Sequence, residues 1–303
     1  MKPLVFVQML NYNGLALLKE TLPLLLGQDY CNLKIQLIDN GSTDESIDYV
    51  KSLSSDILII ENQHNIGLAA ARNIGFQYAI KQHADFVLSL DNDTYLFDPA
   101  LITKLIDKTS EPGLDDVFAF GLLLKEGEGF KEEHKGIDLF GGMFNTLKNN
   151  GKVEGVTFVD FVPGCFMLIR CKQLKKTGLI DEAYYIYFEE VDLSLRAWEK
   201  GMPSVLVDEL QAGHLKTATN VRWSAFFTYF YIRNFLFVAN RYRRLSGKPV
   251  VYHGMILKRY LVYAFKSMKE GLRKGTFFIN LSAIFAATID WIFDRRPVRF
   301  KLK

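Results

Sequence analysis

The apolar runs "PLVFVQML", "LKIQLIDN", "DILIIEN" and "DFVLSLDND" alternate with longer stretches of helical spacing through the first hundred or so residues. This alternation constrains the fold more than any other feature. Strands that alternate with helices predict a mostly parallel sheet with helices on its faces. The segments "LALLKETLPLLLGQ", "DESIDYVKSL" and "IGLAAARNIGFQYAIKQ" supply the helices, with Ser42 and Asp44 placed as caps of the second. In such sheets ligands sit beyond the carboxyl ends of the strands. Every run here ends in a polar cluster: "NYNG" (11–14), "DNGSTD" (39–44), "ENQHNIG" (61–67) and "DNDT" (91–94). One such cluster is an ordinary turn, because Asn, Asp and Gly favour turns. All of them on one rim make a binding site.

The stretch from about 110 to 160 is rich in glycine and charge ("KEGEGFKEEHKGIDLFGG"), as in a substrate-facing loop or a disordered insertion. Beyond it, "GVTFVDFVPGCFMLIR" reads as two further strands. "GLIDEAYYIYFEEVDLSLRAWEKG" reads as an acidic loop entering a helix that Gly201 ends. Val191, Leu195 and Trp198 share one face of that helix and are expected in the core. Glu189, Glu190 and Asp192 then stand at its N-terminus, where negative charge is favoured.

The length of 303 residues fits one large domain with an appended element. With 37 basic against 34 acidic residues the net charge is only +3, which argues against nucleic acid or another dominant polyanion as partner. The last third is locally basic and aromatic ("RNFLFVANRYRRLSGK", "FDRRPVRFKLK"), a composition that suits either an anionic membrane surface or packed helices with solvated cationic faces. "TFFINLSAIFAATIDWIF" is short for a membrane span and is interrupted by Asn280 and Asp290, so a buried or interfacial helix is expected there. Cys31, Cys165 and Cys171 lack zinc-site spacing and fit a reduced, cytoplasmic setting. The opening "KPLVFVQML" reads as a strand rather than a secretory leader.

Two carboxylates spaced as Asp91-x-Asp93 at a strand end supply hard oxygen ligands of the kind that hold Mg²⁺ or Mn²⁺ with phosphates. The pattern alone is common on loops. In order along the chain, however, "DNGSTDES", "NIGLAAARNIG", "DNDT", "VPGCFMLIR", "YYIYFEEVDLSLRAWEKG" and the histidine of "AGHLKT" resemble glycosyltransferase family 2, inverting nucleotide-sugar transferases of the GT-A fold. The nearest likeness is to the bacterial rhamnosyltransferase-like branch of polysaccharide assembly, over about residues 4 to 240, and includes "FYIRNFLF" (230–237).

The resemblance implies a Rossmann-like mixed sheet flanked by helices. Its nucleotide-binding half lies at about 1–100 and its acceptor-binding half at about 101–220, followed by a helical extension over 221–303. It implies that Asn11, Asp39, Asn40, Arg72 and Asp91 bind the nucleotide, with Asp39 on the base, Arg72 on a pyrimidine ring and Asp91 on the ribose. Asp93, with Asp91 and His214, would hold Mg²⁺ or Mn²⁺. The donor would be a UDP- or dTDP-sugar. The acceptor would be a saccharide or a lipid-linked saccharide, reached at the inner face of the plasma membrane by peripheral association.

Inversion needs a base for the acceptor hydroxyl, and the family supplies it from a Glu-Asp pair; this chain has "FEEVD", with Glu190 in the second place. Glu190 is therefore the expected base, with Glu189 and Asp192 as alternatives. The resemblance places Gly164 and Cys165 on the acceptor-facing wall, where plain turn chemistry at Pro163-Gly164 is an equal alternative, and Tyr187 belongs to a tyrosine-rich approach that could stack on sugar. Arg222, Arg233, Arg241, Arg243 and Arg244 are candidates for phosphate contact or for solvated helix faces. A non-catalytic sugar-nucleotide-binding or assembly subunit of the same fold is the alternative function, and a homodimer through the C-terminal helices is the alternative to membrane contact. A nucleotidyltransferase would carry a lysine-bearing glycine-rich phosphate loop after its first strand, and "LNYNGLALLKE" is not one.

Overall fold

A computed structural model describes residues 2–126, 132–134, 153–215, 223–245 and 249–295. Much of the glycine-rich stretch, together with Arg222 and the last eight residues, lies outside the described residues.

The first half is the expected alternation. Strands β1 (Val5–Asn11), β2 (Leu33–Asp39), β3 (Leu58–Glu61) and β4 (Phe86–Asp91) are mutually parallel in the order β3-β2-β1-β4. They are linked by helices α1 (Leu15–Leu26), α2 (Ser46–Leu53) and α3 (Leu68–Lys81). β1 is buried along almost its whole length, as a central strand covered by helices on both faces must be. Mid-strand, the buried Gln8 lies beside Gln36 of β2, and both donate to carbonyls of α3, at Ala71 and Gly75. That approach requires a glycine, because a Cβ on Gly75 would stand 2.5 Å from Gln8 Cδ.

After β4 the chain forms β5 (Thr94–Tyr95), α4 (Leu101–Thr109), β6 (Ala119–Glu126), β7 (Glu132–His134), β8 (Val156–Val159), β9 (Phe166–Arg170), α5 (Cys171–Thr177), α6 (Glu189–Trp198) and β10 (Ser204–His214). These strands extend the sheet as β4-β9-β6-β10-β5, with β9 antiparallel to both its neighbours, so the sheet is mixed. One core layer packs α1, α2 and α4 against the sheet, and a second packs α3, α5 and α6 against its other face.

Helix α6 departs from the single-stripe expectation. Val191 and Leu195 are buried against the C-terminal helices, Leu193 and Ala197 against the sheet, and Trp198 is only half-buried. Glu189 and Asp192, expected at a solvated N-terminus, are buried as well. Ser42 does not cap α2; its hydroxyl and N–H both donate to Asp39, while Asp44 accepts from Ser46 N at 3.2 Å and Leu15 N at 3.1 Å.

Three helices follow, α7 (Ala225–Leu245), α8 (Pro249–Lys274) and α9 (Phe277–Ile292), and pack on one another. Their mutual interface is held by polar groups. Asn280 Nδ2 donates to Trp223 O at 2.8 Å and Ser267 O at 2.9 Å; Tyr229 Oη donates to Asp290 at 2.6 Å. No described helix is long and apolar enough to cross a membrane. Replacing Asn280 with Ala leaves two buried carbonyls short of a donor, and should cost about 2 kcal/mol of stability, to be read by urea denaturation of the whole chain.

Candidate active site

Strand register brings the polar ends together. Asn11 lies opposite Asp39, Asp39 opposite Glu61, and Asp91 opposite Leu10, so four loops leave one rim. There, however, the expected nucleoside ligands bond first to each other. Asn11 Nδ2 donates to Asp39 Oδ1 at 3.0 Å and to Ser42 Oγ at 3.1 Å, while Asn11 Oδ1 accepts from Asn92 at 2.8 Å. Asn40 is committed entirely to the backbone and side chains of the 62–67 loop. Its Oδ1 accepts from Asn62 and Ile66, and its Nδ2 donates to Asn65 and Gly67. Asn40 thus shapes the rim and does not project from it.

Arg72 is not at the rim either. The fifth residue of α3, it is 2% exposed, and its guanidinium donates to Asp91 Oδ1 at 2.9 Å and Glu189 Oε1 at 2.8 Å. Gly164 makes room for it: a Cβ there would stand 2.3 Å from Arg72 Nη1. The guanidinium therefore ties α3, the end of β4 and the start of α6 into one unit beneath a cavity of about 280 Å³. That cavity is lined by Arg72, Asp91, Gly164, Cys165, Tyr187, Glu189, Glu190 and His214, among others.

Asp192 is elsewhere. Its carboxylate accepts from Tyr184 Oη at 3.1 Å, Arg196 Nε at 2.9 Å and Arg241 Nε at 3.0 Å, and faces a separate polar recess with Arg241 and Arg244. Helical geometry separates it from Glu190, since two positions along α6 turn a side chain to roughly the opposite face.

The two glutamates share one environment and differ in it. Burial, then the neighbouring Glu190 charge, pushes the Glu189 carboxyl well above its ordinary value, against the pull of Arg72. Glu189 Oε2 is buried without a hydrogen-bond partner. The Glu190 carboxyl is raised as well, chiefly by burial, and is held back by Arg72. Glu190 is the half-open member and faces the cavity.

The entry to α6 is strained. Tyr185, Tyr187 and Phe188 have φ of 62°, 68° and 66°, a region that costs bulky side chains about 1–3 kcal/mol each. Asn234 of α7 offsets this by donating from one amide to the carbonyls of Tyr184 at 2.9 Å, Ile186 at 2.8 Å and Tyr187 at 2.9 Å. Arg233, a candidate for phosphate contact, is instead buried beside it and donates to Ala183 O and Tyr229 Oη. Of the expected aromatic wall, only Tyr187 lines the cavity; Tyr185 stacks on Phe230 at 5.1 Å and covers Gly67. Asn234 was visible in the sequence only as part of "FYIRNFLF", with no sign that its role is to hold a turn. Arg241 is taken by Asp192 and Glu199, and Arg243 meets His253 at 2.8 Å.

On the other side of the cavity, β5 pairs with the end of β10, setting Thr94 opposite His214. His214 Nε2 then lies 3.4 Å from Asp93 Oδ1. Asp91, expected to join them, is drawn to Arg72, and no three-residue metal-ligating cluster occurs among the described residues. One carboxylate and one imidazole at this separation suit a cation whose remaining ligands are phosphate oxygens and water, as Mg²⁺ is usually bound.

A model of the family described as Glycosyl transferase family 2 matches residues 7–178. The chain belongs to glycosyltransferase family 2. It is 33% identical over 106 residues to one uncharacterized glycosyltransferase of Haemophilus influenzae, covering 34% of this chain and 41% of that protein. To a second from the same organism it is 26% identical over 201 residues, covering 62% and 58%. The chain thus spans about half the length of these relatives. Among solved structures it is similar to mannosyltransferase PcManGT from Pyrobaculum calidifontis in complex with GDP-Man and Mn²⁺, with TM-score 0.62 and 15% identity over 97% of this chain and 88% of that one. It is likewise similar to residues 1–349 of Staphylococcus aureus TarS in complex with UDP-GlcNAc, with TM-score 0.63 and 16% identity over 95% and 80%. These likenesses establish the GT-A fold, with the C-terminal helices added to the mixed α/β core.

The Arg72 clamp gives a stability test. Arg72→Met leaves buried carboxylates without a counter-charge and should cost about 3–5 kcal/mol. Glu189→Gln, whose amide oxygen still accepts from Arg72, should cost far less, and chemical denaturation of both variants separates the two.

Proposed function

We propose that this protein is a metal-dependent inverting glycosyltransferase that moves a hexosyl or rhamnosyl group from a nucleotide-diphosphate donor to a saccharide or lipid-linked acceptor in bacterial surface polysaccharide synthesis. The observation that carries this reading is one cavity lined by both Glu190, a half-open carboxylate, and His214, the partner of Asp93. We assign catalysis to residues 1–220 and treat 221–303 as an extension that supports it.

Glu190 accepts the proton of the acceptor hydroxyl as that oxygen bonds to the anomeric carbon. The bond from that carbon to the diphosphate breaks on the opposite face, and the nucleoside diphosphate leaves with the electron pair. Glu189, held by Arg72, anchors the start of α6 and so positions the adjacent Glu190. Arg72 fixes Glu189 and Asp91 in register, so base and donor side are positioned by one group. Asp93 and His214 are the residues that would hold Mg²⁺ or Mn²⁺. When bound, such a cation offsets the charge that develops on the departing diphosphate. The Mn²⁺ and nucleotide-sugars named with PcManGT and TarS are consistent with this reading.

Calorimetric titration with UDP, dTDP and GDP, each with and without Mn²⁺, tests the donor side. Metal-dependent binding of one of them, lost in Asp93→Ala, is the expected result; no binding of any would favour the non-catalytic subunit. Glu190→Gln should lower kcat by about 10²–10⁴ with nucleotide binding retained. Because burial raises the Glu190 carboxyl above its ordinary 4.5, the rate should fall as pH drops through a midpoint above 4.5, and Glu190→Gln should abolish that limb.

A further inference from the structure

The three C-terminal helices share an apolar core crossed by a few buried polar groups, and carry a second apolar surface on the outside of α8 and α9. Within the bundle, Asn280, Ser267, Thr228 and Asp290 are buried and hydrogen-bonded. Outside, ten of the thirteen exposed large hydrophobic residues of the described chain lie on α8, α9 and the residue after α9. On α9 and just after it, Phe278 is 80% exposed, Phe285 66% and Phe293 63%; on α8, Phe265 is 64% exposed. The core of the bundle is already filled by other apolar side chains of the same helices, such as Ala264, Ala283, Ile284 and Ala287, so the exposed ones are in addition to it. Contiguous exposed apolar surface of this kind marks an interaction face.

Charge decides the partner. An apolar groove along α8, lined by Leu257, Leu261 and Phe265, is edged by Lys258, Lys266 and Lys269. Over residues 253–295 there are seven Lys and Arg against three Asp and Glu, and one of those acids, Asp290, is buried. A two-fold contact with a second copy through this face would set the lysine row against itself. An anionic lipid surface satisfies both parts at once, since the apolar side chains enter the acyl boundary and the lysines meet headgroup phosphates. The 16-residue α9 is too short to span the hydrocarbon core, as is expected of a helix lying in the interface.

We propose that the outer face of α8 and α9 docks on an anionic bilayer surface, with Phe265, Phe278 and Phe285 as apolar anchors and Lys258, Lys266 and Lys269 as the charge contact. This inference names the surface for the membrane contact and stands whether or not the transferase reading holds. The inner face of α8 reaches the candidate site, because Tyr263 packs on Tyr231 and Tyr231 on Tyr187. Docking thus holds the cavity's aromatic edge at a fixed relation to the bilayer.

The test is co-sedimentation of the full chain with vesicles of phosphatidylcholine alone or with phosphatidylglycerol added, at low and high salt. Binding to the anionic vesicles only, weakened by salt, is expected. Reversing Lys258, Lys266 and Lys269 together to Glu should weaken it at least about tenfold, and Phe278→Ser with Phe285→Ser should weaken it at both salt concentrations. These side chains are exposed, so the unfolding transition should be unchanged and serves as the folding control. Absence of binding, equal binding to neutral vesicles, or variants that bind like the parent would overturn the proposal. So would a concentration-dependent dimer in light scattering that the phenylalanine substitutions dissolve.

Discussion

A buried guanidinium shared between two carboxyls holds the candidate site together. Taking Arg72 out of water is costly, and only close opposite charge offsets it. Asp91 and Glu189 provide that charge from chain segments almost a hundred residues apart. Because neither can move without exposing the other to an unpaired charge, the end of β4, helix α3 and the start of α6 behave as one rigid element. Gly164 exists in this setting to leave the guanidinium its space.

A second constraint acts on the same helix from the other side. The turn over 185–188 holds aromatic residues in a backbone region they rarely adopt, and it persists because Asn234 takes up three of its carbonyls. Strain kept by surrounding structure in this way clusters at functional sites. Helix α7 is thereby part of the machinery that presents Tyr187 and the paired glutamates. The helices outside it inherit a fixed orientation relative to the cavity.

Electrostatics then separates the acids of "FEEVD" into different roles. Glu189 faces Arg72, Glu190 faces the cavity, and Asp192 turns to Arg196 and Arg241 on the far side of α6. Of the two glutamates, Glu190 is the one more open to the cavity. Asp93 and His214 line up separately, through a strand pairing that has nothing to do with α6.

The sequence by itself determined the strand and helix alternation of the first half, the polar rim and the acidic start of α6, because apolar periodicity and strand ends are local properties of the chain. It also showed which residue types the chemistry would draw on. Tertiary structure alone decided which of them meet. Asn40 and Ser42 read as rim ligands or caps, yet loop packing turned both inward. Arg72 and Arg233 read as phosphate or base contacts, yet burial made each of them an internal clamp. Asp93 and His214 are separated by more than a hundred residues, and only the antiparallel pairing of β5 with β10 brings them within 3.4 Å. Side-chain identity records what a residue can bind, but which partner it finds depends on long-range strand register and on the cost of leaving a buried charge unpaired.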